Sequence, residues 1–155
     1  MALVPPPYHF GIVVDDVEQA QRELGEALHL TWASVQRRTS TMETSAGTAP
    51  VDVCFVYSLE GPPYLELIER RDGSVFDQVG LHHIGMWSDD RAAESDRLGA
   101  LGLPREAVGV RPDGTRGGGC YHLASCGLRV EVVDIGRSGP ALVRYLSGGD
   151  YVIGP

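Results

Sequence analysis

The chain repeats itself, and the repeat limits its possible folds more than any other feature. His9-Phe10-Gly11-Ile12-Val13-Val14-Asp15-Asp16 resembles His83-Ile84-Gly85-Met86-Trp87-Ser88-Asp89-Asp90, 74 positions later, and Leu24-Gly25 matches Leu98-Gly99 at the same offset. A second pair, Leu65-Glu66-Leu67-Ile68-Glu69 and Val130-Glu131-Val132-Val133-Asp134, follows in the same order at an offset of 65, so the first copy carries the longer loop. Matched pairs in one order point to a duplicated supersecondary unit. A length of 155 residues suits two such half-domains around one core.

Each copy reads as β-α-β-β-β. In the first, an apolar strand over 8–14 ends in Asp15-Asp16, where an aspartate can cap a helix by accepting from an otherwise unpaired amide. Val17, Ala20, Leu24 and Ala27 or Leu28 then fall at helical spacing. Strands are expected over 31–38, 51–58 and 64–69, the last two separated by the turn Glu60-Gly61-Pro62-Pro63. The second copy predicts strands over 81–88, 107–111, 120–124 and 128–134, with a helix over 90–101. Together the copies predict one α+β domain over 7–136, built from a module over 7–71 and a module over 80–136. The charged, turn-prone segment Arg70-Arg71-Asp72-Gly73-Ser74 marks the boundary, and a tail over 137–155 carries a short helix near 140–146.

Strand alternation decides which side chains meet. On the first strand His9, Gly11 and Val13 share one face and Phe10, Ile12 and Val14 the other. Glu66 faces away from Leu65 and Leu67, and the second copy repeats the pattern with His83 and Glu131. If the aliphatic faces pack on the helices, His9, Glu66, His83 and Glu131 lie together on the inner face. Two imidazoles and two carboxylates suit a divalent ion such as Zn, Ni, Co, Mn or Fe. An unpartnered carboxylate buried there would be costly. His82 competes with His83, and parity with His9 favours His83. His29 and His122 have no counterpart in the repeat and read as surface or pocket residues. Trp32, Phe55, Tyr57 and Trp87 are candidates to line an apolar pocket or to pack the core.

Composition excludes several classes. Thirteen Lys+Arg against 21 Asp+Glu give a net charge of −8, which repels nucleic-acid backbones and anionic membranes. No apolar run approaches the roughly 20 residues of a spanning helix. The start, Met1-Ala2-Leu3-Val4-Pro5-Pro6-Pro7, lacks the charged and apolar regions of a secretory signal. Cys54, Cys120 and Cys126 form neither a metal-spaced pair nor an even disulfide set, so a cytoplasmic chain with reduced thiols is expected.

These segments resemble the vicinal oxygen chelate superfamily, which includes glyoxalase I, methylmalonyl-CoA epimerase, extradiol dioxygenases and bleomycin-resistance proteins. The resemblance rests on 8–16, Tyr64-Leu65-Glu66-Leu67-Ile68-Glu69, Gly80-Leu81-His82-His83-Ile84-Gly85 and 127–134. It implies paired β-α-β-β-β modules forming an incomplete barrel around one metal ion. It also implies that His9, Glu66, His83 and Glu131 stand at the family's ligand positions, and that the chain forms a homodimer. The His/Glu/His/Glu set resembles bacterial glyoxalase I, although Val13 replaces that enzyme's glutathione-binding arginine and Arg70 an asparagine. Val53-Cys54-Phe55-Val56 ahead of Glu66, together with 80–85, looks more like the epimerase branch, which carries Gln where Glu66 stands. The resemblance thus implies a metal-dependent isomerase or epimerase acting on a small acid or thioester. Its catalytic bases would be Glu131 and Glu43, the latter nearest to the acid that precedes the epimerases' third strand. A glyoxalase-type lyase, a ring-cleaving dioxygenase and a non-catalytic drug- or metabolite-binding protein are the alternatives.

Overall fold

A computed structural model describes residues 6–153; the reading of residues 1–5 as no secretory signal lies outside them. Each double aspartate begins a helix, and its second member is the cap. The Asp16 carboxylate accepts from the Gln19 amide at 2.9 Å, and that of Asp90 from the Ala93 amide at 3.0 Å. Such a cap contributes about 1 kcal/mol. The elements run β1 (His9–Val14), α1 (Val17–Leu28), β2 (Gln36–Thr44), β3 (Gly47–Tyr57) and β4 (Tyr64–Glu69). They continue with β5 (Gly80–Ser88), α2 (Arg91–Ala100), β6 (Arg105–Val110), β7 (Arg116–Leu123), β8 (Arg129–Asp134) and α3 (Ile135–Leu146).

The strands form a closed barrel in the order β1-β4-β3-β2-β6-β7-β8-β5. β1 pairs parallel with β4, and β5 parallel with β8. β1 and β5 lie side by side and antiparallel, which places His9 opposite Gly85 and His83 opposite Gly11. The barrel expected to be incomplete is closed, because β2 runs on to Thr44 and pairs residues 41–44 with 107–110 of β6. The sequence pattern hid this extension. Residues 39–41 are Thr-Ser-Thr on a half-solvated strand, yet the β2–β3 ladder continues from Gln36↔Phe55 to Thr44↔Gly47. The expected strand over 31–38 therefore begins later, and Trp32 keeps only an isolated bridge to Ser58.

Two apolar layers result. Outside the sheet, Val17 and Ala20 of α1 pack on Cys54, Val56 and Leu67, with Ile12 and Val14 beside them. Inside it, Val13, Met42, Phe55, Tyr57, Ile68, Tyr121 and Val133 form one cluster. Burying a side chain such as Leu67 stabilises by about 1.5–3 kcal/mol. The tail helix is longer than expected: Asp134 caps it from β8 and accepts from the Arg137 amide at 3.2 Å. It inserts Tyr145, which is fully buried and donates its hydroxyl to the Ser34 carbonyl at 2.6 Å. Tyr151, beyond the helix, packs edge-on against Phe55 and Tyr145. The three cysteines are free; Cys54 and Cys120 are buried and Cys126 is exposed. Among the described residues no helix is long and apolar enough to cross a membrane.

Candidate metal centre

The seam between β1 and β5 brings the two histidines together. Their Nε2 atoms stand 2.8 Å apart, and both side chains are fully buried. Glu66, across Gly11 on β4, and Glu131, across Gly85 on β8, reach in from either flank. Glu66 Oε2 lies 3.2 Å from His9 Nε2 and 3.3 Å from His83 Nε2; Glu131 Oε2 lies 3.1 and 3.4 Å from the same atoms. His9, His83 and Glu131 offer ligand atoms all within 4.8 Å of one another.

Glycine makes this approach possible. A Cβ built on Gly85 would stand 1.9 Å from His9 Cε1, and one built on Gly11 would stand 1.9 Å from His83 Cε1. Each His-x-Gly thus supplies one imidazole and vacates the space for the other. The pattern is written in both copies as His9-Phe10-Gly11 and His83-Ile84-Gly85, and reading the histidines alone overlooks it.

Hydrogen bonds fix the tautomer of His83. A carbonyl only accepts, so His82 Nε2 donates to the Val75 carbonyl at 2.8 Å. His82 stays neutral at pH 7, since burial and the neighbouring His83 lower its pKa to about 4. Its Nδ1 therefore accepts from His83 Nδ1–H at 2.9 Å, which aims His83 Nε2 into the cluster. His82, the rival for the site, supports it from behind. Burial opposes the charged form of His9, but hydrogen bonds to Glu131 and Glu66 outweigh it and raise its pKa to about 9. Both glutamates lie below the usual carboxylate range: burial opposes their charge, and His83 and His9 prevail. His9 Nδ1 finds no partner among the described residues.

The donor set fits a divalent ion. Zinc-type ligand atoms lie about 2.0–2.2 Å from their ion, so neighbouring donors are separated by about 3.0 Å at right angles and about 3.4 Å in a tetrahedron. His9, His83 and Glu131 come nearest to this spacing, with the Nε2 atoms 2.8 Å apart and Glu131 Oε2 at 3.1 and 3.4 Å from them, while Glu66 Oε2 stands at 3.2 and 3.3 Å from the Nε2 atoms outside that compact trio. Charge agrees: a dication held between neutral imidazoles balances the two buried carboxylates.

A cavity of about 120 Å³ adjoins the cluster, lined by Glu66, Glu131, Tyr8, Tyr57, Tyr121 and Met42 among others. Burial, reinforced by the glutamate charges, pushes these three phenols well above their usual range, so they remain donors. Of the four aromatics singled out in the sequence, Phe55 and Tyr57 line the cavity. Trp32 donates to the Gln21 carbonyl beneath α1, and Trp87 stacks on Tyr8.

The structure does not bring Glu43 to this site. Alternation on β2 turns Met42 inward and Glu43 outward, where Arg116 holds it at 2.6 Å and Arg105 stands at 3.9 Å. The Arg116 hydrogen bond lowers its pKa and holds its carboxylate on the outer face. His29 is exposed, as the left-handed cap of α1. His122 is neither surface nor pocket: buried under α2, it donates from Nδ1 to the Leu103 carbonyl and accepts at Nε2 from Ser95, both at 2.8 Å.

A closed barrel with histidines on its central seam and carboxylates on the flanking strands defines a class of protein, and comparison with known proteins agrees. Residues 8–124 match the Glyoxalase/Bleomycin resistance protein/Dioxygenase superfamily, and the chain belongs to it. No curated protein sequence matches the chain. Among solved structures, methylmalonyl-CoA epimerase from Mycobacterium tuberculosis is similar in fold (TM-score 0.58, 15% identity, 86% of this chain and 89% of that one). So is a Streptomyces coelicolor methylmalonyl-CoA epimerase in complex with 2-nitronate-propionyl-CoA (TM-score 0.57, 14% identity, 85% and 98%). A hypothetical protein from Bacillus halodurans shares the fold as well (TM-score 0.56, 15% identity, 83% and 92%).

Proposed function

We propose that the protein is a metal-dependent isomerase or epimerase that moves a proton next to the carbonyl of a small acid or thioester, with a methylmalonyl-CoA-like compound as the first substrate to test. The observation that carries this reading is the convergence of His9, His83, Glu66 and Glu131 at 3.1–3.4 Å beside a cavity. The four residues would hold a divalent ion such as Zn, Ni, Co, Mn or Fe, which when bound stabilises negative charge developing on chelated oxygens. Glu131, from β8, takes the α-proton. Since Glu43 faces away and Glu66 stays ionised as a ligand, the proton returns to the α-carbon from Glu131, the group that took it. The phenols of Tyr8, Tyr57 and Tyr121 keep water from the reacting carbon and donate to substrate oxygens.

In this reading 7–71 and 80–136 are duplicated modules of one domain, each contributing one histidine and one glutamate, and the chain works as a homodimer. The test is deuterium incorporation at the α-carbon of methylmalonyl-CoA or a related thioester, with the protein loaded in turn with each of the five metals. Exchange that disappears in Glu131→Gln supports the proposal, and absence of exchange with every metal overturns it.

A further inference from the structure

A second, larger space opens beside the barrel cavity. It is a groove of about 900 Å³ that shares Arg38, Ser40, Gly118 and Tyr151 with the cavity and adds Arg91 and Arg111. Every cation among the basic side chains of this sequence is arginine; there is no lysine. Several arginines elsewhere meet carboxylates: Arg70 with Asp15, Arg71 with Glu69, Arg97 with Glu94, Arg116 with Glu43, and Arg129 with Glu106. In the groove, among the described residues, Arg38, Arg91 and Arg111 make no carboxylate ion pair within 4.0 Å, although the Asp113 carboxylate feels the Arg111 charge. Among the described residues Arg38 forms no pair with a carboxylate. Its guanidinium instead lies 5.0 Å from the Phe55 ring centroid and 5.3 Å from that of Tyr151, held over two rings. Arg91, half-buried, donates only to the Arg116 carbonyl at 3.0 Å. Arg111, also half-buried, lies across Gly117, where a Cβ would stand 2.3 Å from its Nε.

Arg38, Arg91, Arg111 and Arg137 outnumber Asp113 and Asp134 along this groove, a local excess of positive charge on a chain carrying −8. The planar guanidinium fork matches the oxygens of a phosphate, and its weak hydration lowers the cost of partial burial. We propose that this groove binds a phosphate-bearing tail of the substrate, whose reacting end lies in the barrel cavity. The assignment of the reacting end rests on the function proposed above; the phosphate site rests on the groove alone. Arg38, common to both spaces, stands where tail and reacting end join.

The test uses inorganic pyrophosphate as the probe, titrated calorimetrically into metal-free protein from which chelator has been removed, so that no bound ion can recruit it. The expected result is one site per chain that weakens between 50 and 200 mM salt. Binding should weaken at least about tenfold in the R38Q/R111Q double variant and less in R111K, which keeps the charge but loses the fork. R22Q, on α1, should bind as the unmodified protein does, and thermal melts of each variant confirm folding. Malonate in place of pyrophosphate distinguishes phosphate recognition from a general carboxylate site. No binding, equal binding by R38Q/R111Q, or malonate binding as tightly as pyrophosphate would overturn the proposal. Because the titration involves neither metal nor turnover, its outcome is separate from that of the isotope exchange.

Discussion

Replacing Gly85 with alanine adds one methyl group, and the structure specifies where it goes. The new carbon would sit 1.9 Å from His9 Cε1, 2.1 Å from Nδ1 and 2.8 Å from Nε2. Ordinary carbon contacts are about 3.5–4.0 Å, so the ring must retreat by about 1.6 Å or more. It has little room to do so, because Tyr8 lies edge-on to it at 4.2 Å between centroids and Tyr57 tilts against it at 5.4 Å. Overpacking of this kind costs about 1–3 kcal/mol. Metal sites tolerate displacements of only about 0.2 Å. Binding should therefore suffer far more than folding, with a loss of at least about 100-fold. Co(II) titration followed by its visible absorption, beside a urea melt, reads both quantities. Gly11→Ala should do the same through His83. Gly99→Ala is the control: nothing stands within 4 Å of its added carbon on α2, so the melt should shift upward by up to about 1 kcal/mol with no change in cobalt binding. A folded Gly85→Ala protein that binds cobalt as tightly as the unmodified chain would refute the reciprocal arrangement.

Three other outcomes follow from the same geometry. The His9 pKa is raised from 6.5 to about 9, so in metal-free protein its stabilisation is complete below 6.5 and is lost as pH rises through 9. The shift corresponds to about 3 kcal/mol, which urea melts from pH 6 to 10 should reveal and which His9→Gln should abolish. Zinc added at pH 7.5 should expel the His9 proton, so calorimetry in two buffers of different ionisation enthalpy should show about one proton released per ion bound. Glu43→Gln should leave zinc affinity and isotope exchange unchanged, since Glu43 faces Arg116; a loss of exchange would restore it as a base.

What the sequence revealed and what it concealed have distinct physical causes. The histidines and glutamates were visible because alternation on short, strongly patterned strands fixes the face of each residue, and the repeat supplied each position twice. Glu43 was taken from the resemblance by its place ahead of the third strand, with no strand expected over 39–50; β2 runs on to Thr44, and alternation there turns Met42 to the cavity and Glu43 away from it. β7 was read as starting at 120, because Gly117-Gly118-Gly119 resembles a loop; these residues lie within β7 at an irregularity between the Val110↔Arg116 and Val108↔Cys120 pairs. The support given by His82 and the reciprocal role of the glycines depend on cross-strand distances that no single segment contains.

The cluster draws on residues 9, 66, 83 and 131, so its members emerge from the ribosome across most of the time the chain takes to be made. A nascent chain that ends before Glu131 holds two histidines and one glutamate, with no β8 to fix their flank and β5 still unpaired on that side. Such a chain has no finished cage in which to trap an ion. If the cluster holds an ion as proposed, loading would wait for the completed barrel, and the width of the finished seam would choose the occupant.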